Sequence, residues 1–191
     1  MQNSLYRFME KKIVTGILAG ILSTPLPSIA ECGEGDGIID RASQNICKTW
    51  AQGNHSLYLP FYGHHMRFAY DRDKIDQYRE NTWGVGYGRS LYTNNTWQGL
   101  YGMVFLDSHS DPQYVAGYSH EWLCGNQSGF HAGAGFTVGM TGRRDIRSYI
   151  PFPILLPVAS VNYKKVSVNA SYVPGGHNNG NIMFFWSRVD F

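Results

Sequence analysis

The side chains best suited to chemistry fall in two short stretches. "FYGHHMRFAYD" (61–71) sets His64 beside His65, with Arg67 close behind. "GMVFLDSHSDP" (102–112) brings Asp107 and Ser108 together just before a short loop. Histidine is the side chain whose ordinary pKa best suits proton transfer near neutrality, and a carboxylate and a hydroxyl can orient it or stabilise developing charge. A base, an acid and a hydroxyl suggest an acyl-transfer relay, but adjacent Asp107 and Ser108 sit awkwardly for a linear one. The same three groups on a protein rim also serve plain hydration and hydrogen bonding. Which histidine acts depends on the elements that carry these residues.

If the first stretch is a strand, its two histidines point to opposite faces. Counting by twos, Tyr58, Pro60, Tyr62, His64, Met66, Phe68 and Tyr70 share an aromatic, lipid-like face. Leu57, Leu59, Phe61, Gly63, His65, Arg67 and Ala69 share the other, which turns small and polar toward its far end. His65 and Arg67 are therefore expected to look inward and His64 outward.

The same period of two runs through the rest of the chain. In "FHAGAGFTVGMT", Phe130, Ala132, Ala134, Phe136, Val138 and Met140 alternate with His131, Gly133, Gly135, Thr137, Gly139 and Thr141. "WGVGYGRSLY" and "VSVNASY" repeat the pattern. Eight such segments are expected, at about 56–70, 82–92, 96–108, 113–123, 130–142, 149–161, 165–173 and 181–191, parted by turn-like "TNN", "GNQS", "GRRD", "NYKK" and "GGHNNG". An even number of alternating strands, Tyr and Trp near strand ends and a terminal Phe191 read as an all-β, eight-stranded antiparallel transmembrane β-barrel. A soluble sandwich or lipocalin-like barrel alternates in the same way but turns its apolar residues inward. With both termini in the periplasm, odd strands run outward. His65, Asp107 and Ser108 then gather at the extracellular rim of a barrel in a Gram-negative outer membrane.

The first thirty residues have another character. Basic Arg7, Lys11 and Lys12, the apolar run 13–22, and small Ser28 and Ala30 make a secretory signal over 1–30, cleaved after Ala30. A short amphipathic helix is expected within 31–54, where Ile38, Ala42, Ile46 and Trp50 recur every fourth residue, and the barrel occupies 55–191. Cys32, Cys47 and Cys124 are an odd set that gives no disulfide framework, although an exported chain could pair two of them. Their spacing fits no metal site. The formal net charge of +2, with no basic cluster, gives no sign of nucleic-acid binding.

Eight strands leave room for side chains or one small ligand. Here the inward face is rich in Gly, Ser and Thr, which suggests a slot for a thin apolar group such as an acyl chain. Pro151, Pro153 and Pro157, with Pro174 on the next strand, cannot donate to a ladder and should open a seam in the wall, a lateral doorway for lipid.

At these residues the chain resembles the PagP family of outer-membrane lipid A palmitoyltransferases. The resemblance covers nearly all of the expected mature chain: "KTW", "LYLPF…HMRFAYD", "LYGMVFLDS", "VAGY", "YIPFPILLPVASV" and "YVPGGHNNGN". It implies an eight-stranded barrel behind an amphipathic helix, and transfer of a palmitoyl or similar chain from the sn-1 position of a glycerophospholipid to a hydroxyacyl chain of lipid A. It implies catalysis by His65, Asp107 and Ser108, with Arg67 as a rim contact and no metal or diffusible cofactor. Its partners are donor, acceptor and surrounding outer-membrane lipid, and a monomer is expected. Resistance to cationic peptides is the implied benefit. Two positions depart from the family. Ser119 stands where the type member has a glycine at the floor of the acyl slot, which should shorten the slot. Thr82 replaces a proline opposite Pro60, which puts a second doorway in doubt, whereas the doorway at Pro157 and Pro174 is intact. The rival readings are a non-catalytic structural or adhesive barrel and a lipid A deacylase.

Overall fold

The computed structural model describes Cys32, residues 35–126 and residues 128–191. The expected signal segment, 1–30, lies outside the described residues. Helix α1 (Ile38–Gln52) precedes eight strands: β1 (Asn54–His65), β2 (Gly84–Thr93), β3 (Thr96–Leu106), β4 (Pro112–Gly125), β5 (Phe130–Gly142), β6 (Phe152–Tyr163), β7 (Val166–Val173) and β8 (Ile182–Asp190). Each strand pairs with its sequence neighbours in antiparallel register, and β1 with β8 closes the barrel. Loop 1 (66–83) holds a 3₁₀ turn, Arg67–Ala69, and a single helical turn, α2 (Arg72–Ile75). Among the described residues Cys32 is disulfide-bonded to Cys47 while Cys124 is free and exposed, so two of the three cysteines do pair. α1 sits against the short-turn end of the barrel, where its buried Thr49 reaches Gln98 at the start of β3.

Burial decides which side of the wall meets lipid. Val85, Val104, Val138, Leu155, Val161 and Val168 are exposed, whereas Ser90, Thr137, Asn162, Asn169, Glu121 and Arg188 are buried inside. A lipocalin-like barrel has the reverse arrangement. An apolar outer band around an interior that holds buried charge and amides is that of a barrel spanning a membrane.

The first strand corrects the expected parity. Ser56, Tyr58 and Pro60 are buried within, while Leu57 and Leu59 face out. The register with β8 slips between Pro60 and Tyr62, so Phe61 is an extra residue and alternation restarts with Gly63 and His65 inward. A bulge moves every later side chain to the other face. Tyr58 and Pro60 therefore join the interior instead of the aromatic outer stripe. The strand also ends at His65 rather than at residue 70, because the chain turns into the 3₁₀ segment, which puts Arg67 in a half-exposed loop rather than on an inward face.

The interior divides in two. Toward the long loops, Met103, Phe105, Val115, Val158 and Trp186 form an apolar column, with Tyr101, Ile154 and Phe184 against it. Toward α1 the lumen is polar. Arg188 lies over the Trp97 ring at 4.0 Å and pairs with Asp190 at 3.1 Å, and it donates to Tyr92 and Asn162. The small inward residues are thus not all slot: a Cβ at Gly99 would stand 2.4 Å from the Trp97 ring, so this glycine makes room for the indole. Ser119 is buried at the boundary, opposite Gly99 and Thr137, beneath the Tyr101 hydroxyl that meets Thr137 at 2.6 Å.

Two seams interrupt the wall. β6 pairs with β7 only from Val158↔Ser171 down to Tyr163↔Val166, so the stretch from Phe152 to Pro157 has no partner there. The Ser171 hydroxyl takes the Pro157 carbonyl at 2.9 Å, satisfying an acceptor at the edge of the gap. β1 pairs with β2 only from Asn54↔Ser90 to Tyr58↔Gly86. This second gap in the pairing begins beyond Tyr58, at Pro60, with Thr82 in the loop across from it.

Candidate active site

The rim at the long-loop end gathers residues from β1, loop 1 and the β3–β4 turn. His65, the last residue of β1, is 2 % exposed. Its Nε2 lies 3.1 Å from the Ser108 hydroxyl oxygen. The ring is clamped by Tyr78, stacked at 4.8 Å and 4°, and by Tyr70, edge-on at 5.3 Å. His64 points outward, with a side chain 37 % exposed.

Loop 1 is folded back over this rim by the loop between β7 and β8. Asn178 donates its backbone N–H to the Ala69 carbonyl at 2.8 Å and its side-chain amide to Asp71 at 2.8 Å, and its Oδ1 accepts the Asp71 N–H at 2.9 Å. The Asn178 contact holds the Asp71 carboxyl below the usual aspartate range, although burial slightly opposes it. Asn181 accepts the Met66 N–H at 2.9 Å. Asn178, Gly180 and Asn181 all adopt positive φ, which Asn and Gly tolerate best. This accounts for the composition of "GGHNNG". Burial, reinforced by neighbouring Tyr78, raises the Tyr70 hydroxyl, which donates to the Gly180 carbonyl.

Asp107 and Ser108 are both buried, but they are not used alike. Asp107 Oδ1 accepts the backbone N–H groups of His109 and Asp111 at 2.8 and 2.9 Å, fixing the turn that presents Ser108. Its Oδ2 faces Arg143 at 3.4 Å. Among the described residues Asp107 makes no hydrogen bond to His65 or Ser108. Asp107, His109 and Asp145 converge closely enough to suggest a metal, but the Arg143 guanidinium stands among them, 2.9 Å from Asp145, and supplies the positive charge.

The carboxylate nearest the imidazole is one that sequence reasoning missed. Glu80 Oε1 lies 3.5 Å from His65 Nδ1 and accepts the His65 backbone N–H at 3.0 Å. Its Oε2 accepts from Tyr62 at 2.8 Å and from Arg67 at 3.0 Å. Burial works against this carboxylate, but the His65 N–H, the Tyr62 hydroxyl and Arg67 outweigh it and hold its pKa below the ordinary glutamate value. Alternation cannot find Glu80, since it sits in a loop; the only signal is an acidic residue just before β2, where the chain returns to the rim. Beside it, outside the wall at the β1–β2 seam, lies a cleft of about 700 Å³ lined by Tyr62, Arg67, Arg79, Trp83 and Leu106. Pro60 sits at this seam, Pro157 at the other with Pro174 just past the end of β7, and Ser119 at the foot of the apolar column.

Known proteins resemble this chain closely. The family model described as "Antimicrobial peptide resistance and lipid A acylation protein PagP" matches residues 45–188. A protein of Methylobacillus flagellatus named lipid A acyltransferase PagP is 52 % identical over 179 residues, spanning 92 % of this chain and 97 % of its own length. One of Edwardsiella tarda with the same name is 43 % identical over 181 residues, spanning 92 % and 97 %. The lipid A palmitoyltransferase PagP of Escherichia coli is 46 % identical over 152 residues, spanning 78 % and 81 %. Among solved structures, Neisserial surface protein A aligns with a TM-score of 0.41 at 12 % identity, over 72 % of this chain and 95 % of its own. Ail of Yersinia pestis aligns with 0.38 at 10 %, over 73 % and 100 %.

Proposed function

Since the chain belongs to the PagP family and is a lipid A acyltransferase of the outer membrane, we propose that His65 is its general base and that the sn-1 chain of a glycerophospholipid is what it moves. The observation that carries this reading is the buried His65 Nε2 held 3.1 Å from the Ser108 hydroxyl, at the mouth of an apolar column.

In this reading the donor's acyl chain lies in the column with its ester carbonyl at the rim. The acceptor is a hydroxyacyl chain of lipid A. As its oxygen attacks the ester carbonyl carbon, His65 Nε2 takes the hydroxyl proton. The Ser108 hydroxyl donates to the oxygen on which negative charge develops. When the tetrahedral intermediate collapses, the bond to the glycerol oxygen breaks and the imidazolium returns its proton to that oxygen. The products are a lysophospholipid and lipid A bearing one more ester. Asp107 acts by fixing the turn that presents Ser108. The seams at Pro60 and at Pro157 and Pro174 admit the two lipids sideways. Arg67 and Arg79, beside the cleft, suit anionic headgroups. The rim faces the cell exterior, where lipid A resides, and an extra chain that tightens lipid packing is consistent with resistance to cationic peptides. Nothing in the reaction calls for more than one copy of the chain.

The test is the lipid A mass spectrum of cells with and without the protein. A gain of one long acyl chain, lost in His65→Ala, is expected. A loss of a chain would mean deacylation, and an unchanged spectrum would mean a structural barrel.

A further inference from the structure

Proton transfer by a histidine needs its second ring nitrogen governed, because the partner of that nitrogen fixes the tautomer and stabilises the imidazolium. The residue next to Ser108 in sequence, Asp107, does not do this. One of its oxygens is committed to two backbone N–H groups, and the other, buried without a hydrogen bond, faces the Arg143 guanidinium at 3.4 Å. His65 Nδ1 is buried without a hydrogen-bond partner, and the carboxylate facing it is Glu80, 3.5 Å away.

We propose that Glu80 is the positioning carboxylate of the site: it holds His65 with Nδ1 protonated and Nε2 free to accept, which makes loop 1 part of the catalytic machinery. The inference rests on the reading of His65 as the base and adds a residue to it. Four features support it. First, Glu80 grips the same residue twice, through the His65 backbone N–H at 3.0 Å and through proximity to the ring. Second, the three groups that hydrogen-bond the carboxylate are all donors, the His65 N–H, the Tyr62 hydroxyl and the Arg67 guanidinium, with the outward His64 ring 3.7 Å from its Oε1. Three donors favour the ionised carboxylate over an amide in its place. Third, the Glu80 carbonyl takes the Gly63 N–H at 2.8 Å, tying the loop to the strand that ends in His65. Fourth, Tyr78 stacks on the imidazole from the same short segment, so one piece of loop sets both the plane of the ring and the partner of its Nδ1.

The separation of 3.5 Å is longer than a good hydrogen bond. Closing it needs only a small movement of a side chain already fixed on its far side by Tyr62 and Arg67. Protonation at Nε2 during transfer then places positive charge beside the Glu80 carboxylate.

The experiment uses the purified barrel in phospholipid vesicles containing lipid A. Glu80→Gln is expected to lower kcat by about 100-fold or more with little change in KM, as removing the carboxylate partner of a catalytic histidine does elsewhere. Glu80→Asp is expected to recover part of that loss. A Glu80→Gln variant with wild-type kcat, beside an inactive His65→Ala, would overturn the inference and leave the acyltransfer reading intact. An active His65→Ala variant would overturn the reading of His65 as base, and the inference with it. Ring ¹⁵N NMR of His65 guards against a merely misfolded loop. Wild type should show the Nδ1-protonated form and Glu80→Gln a mixture or the other tautomer; the same tautomer in both would also sink the inference, whatever the activity.

Discussion

His65 Nε2 and Ser108 Oγ stand 3.1 Å apart although 43 residues separate them in the chain. The distance is set from both sides. β1 delivers the imidazole to its last position, where Tyr78 and Tyr70 fix the ring. The turn after β3, knotted by Asp107, delivers the hydroxyl. Neither group has room to wander, as the proposed base and oxyanion donor require.

The two neighbouring histidines should therefore behave differently. His65→Ala should lower transfer by about 100- to 10,000-fold, the usual range for losing a general base. His64→Ala removes an outward ring and should leave activity within a few-fold of wild type. Lipid A mass spectra of cells carrying each variant decide it, and equal losses in both would show that the ring facing Ser108 is not special.

Ser119 should set the chain length. Its hydroxymethyl rises at the foot of the apolar column, at the level where Tyr101 and Thr137 close the polar layer. The slot should be shorter by about one or a few methylenes, each worth about 0.8 kcal/mol of burial. Phospholipids of graded chain length should give an optimum below palmitoyl, and Ser119→Gly should move it longer. An optimum at palmitoyl in both proteins would remove Ser119 from that role.

How far the sequence could be read depends on where period two holds. In β5 and β7 every outward and inward residue follows from counting, because those strands pair without slips. In β1 the count fails at Phe61, since a bulge depends on pairing across to β8 and leaves no mark in local composition. His65 is still placed inward because it lies beyond the bulge, where alternation has resumed. Tyr58 and Pro60 lie before it and are misplaced. Glu80 and Arg143 are loop residues, and no periodicity reaches them. The gap at Pro157 is readable because a missing donor is a property of the residue itself, whereas the one at Pro60 is not, since Thr82 argues against it. The polar half of the lumen was not: period two puts Arg188 and Asp190 on one face of the last strand, but only the fold sets them against Trp97, Tyr92 and Asn162.

That buried charge makes a strong prediction about stability. Arg188 is 1 % exposed, and its removal leaves the buried Asp190 without a countercharge, held only by the Ser56 and Tyr92 hydroxyls. Arg188→Ala should destabilise the barrel by about 3–5 kcal/mol, the usual cost of breaking a buried pair. Urea unfolding from vesicles, followed by tryptophan fluorescence, measures this directly. A change under about 1 kcal/mol would mean that water replaces the guanidinium without cost.

Acid should loosen loop 1 before it harms the barrel. The folded state holds the Glu80 pKa below the ordinary glutamate value, so the anchoring it provides is complete above that value. It is lost as pH falls through the depressed folded value, when the carboxylate takes a proton and gives up Tyr62, Arg67 and the His65 N–H. Amide exchange at His65 should be protected at neutral pH and remain so through the ordinary carboxylate range. Its protection relative to the intrinsic exchange rate should fall only at lower pH, while the β5–β6 amides stay protected. Loss of protection near neutrality would show that Glu80 is not what anchors this segment.

The clamp from the other side can be cut without touching any proposed catalytic group. Asn178 adopts a φ of 58° and ties Ala69 and Asp71 to the β7–β8 loop. Asn178→Gly keeps that backbone conformation at no steric cost and removes only the side-chain contacts to Asp71. Loop 1 carries Tyr78 over the imidazole, so its loosening should cost activity by placing the ring poorly. The barrel itself, held by its strand ladders, should unfold at an unchanged urea midpoint. A fall of several-fold in kcat with unaltered stability is expected. Equal activity in the variant would show that loop 1 is held well enough by its backbone contacts, among them the retained N–H of residue 178 to Ala69.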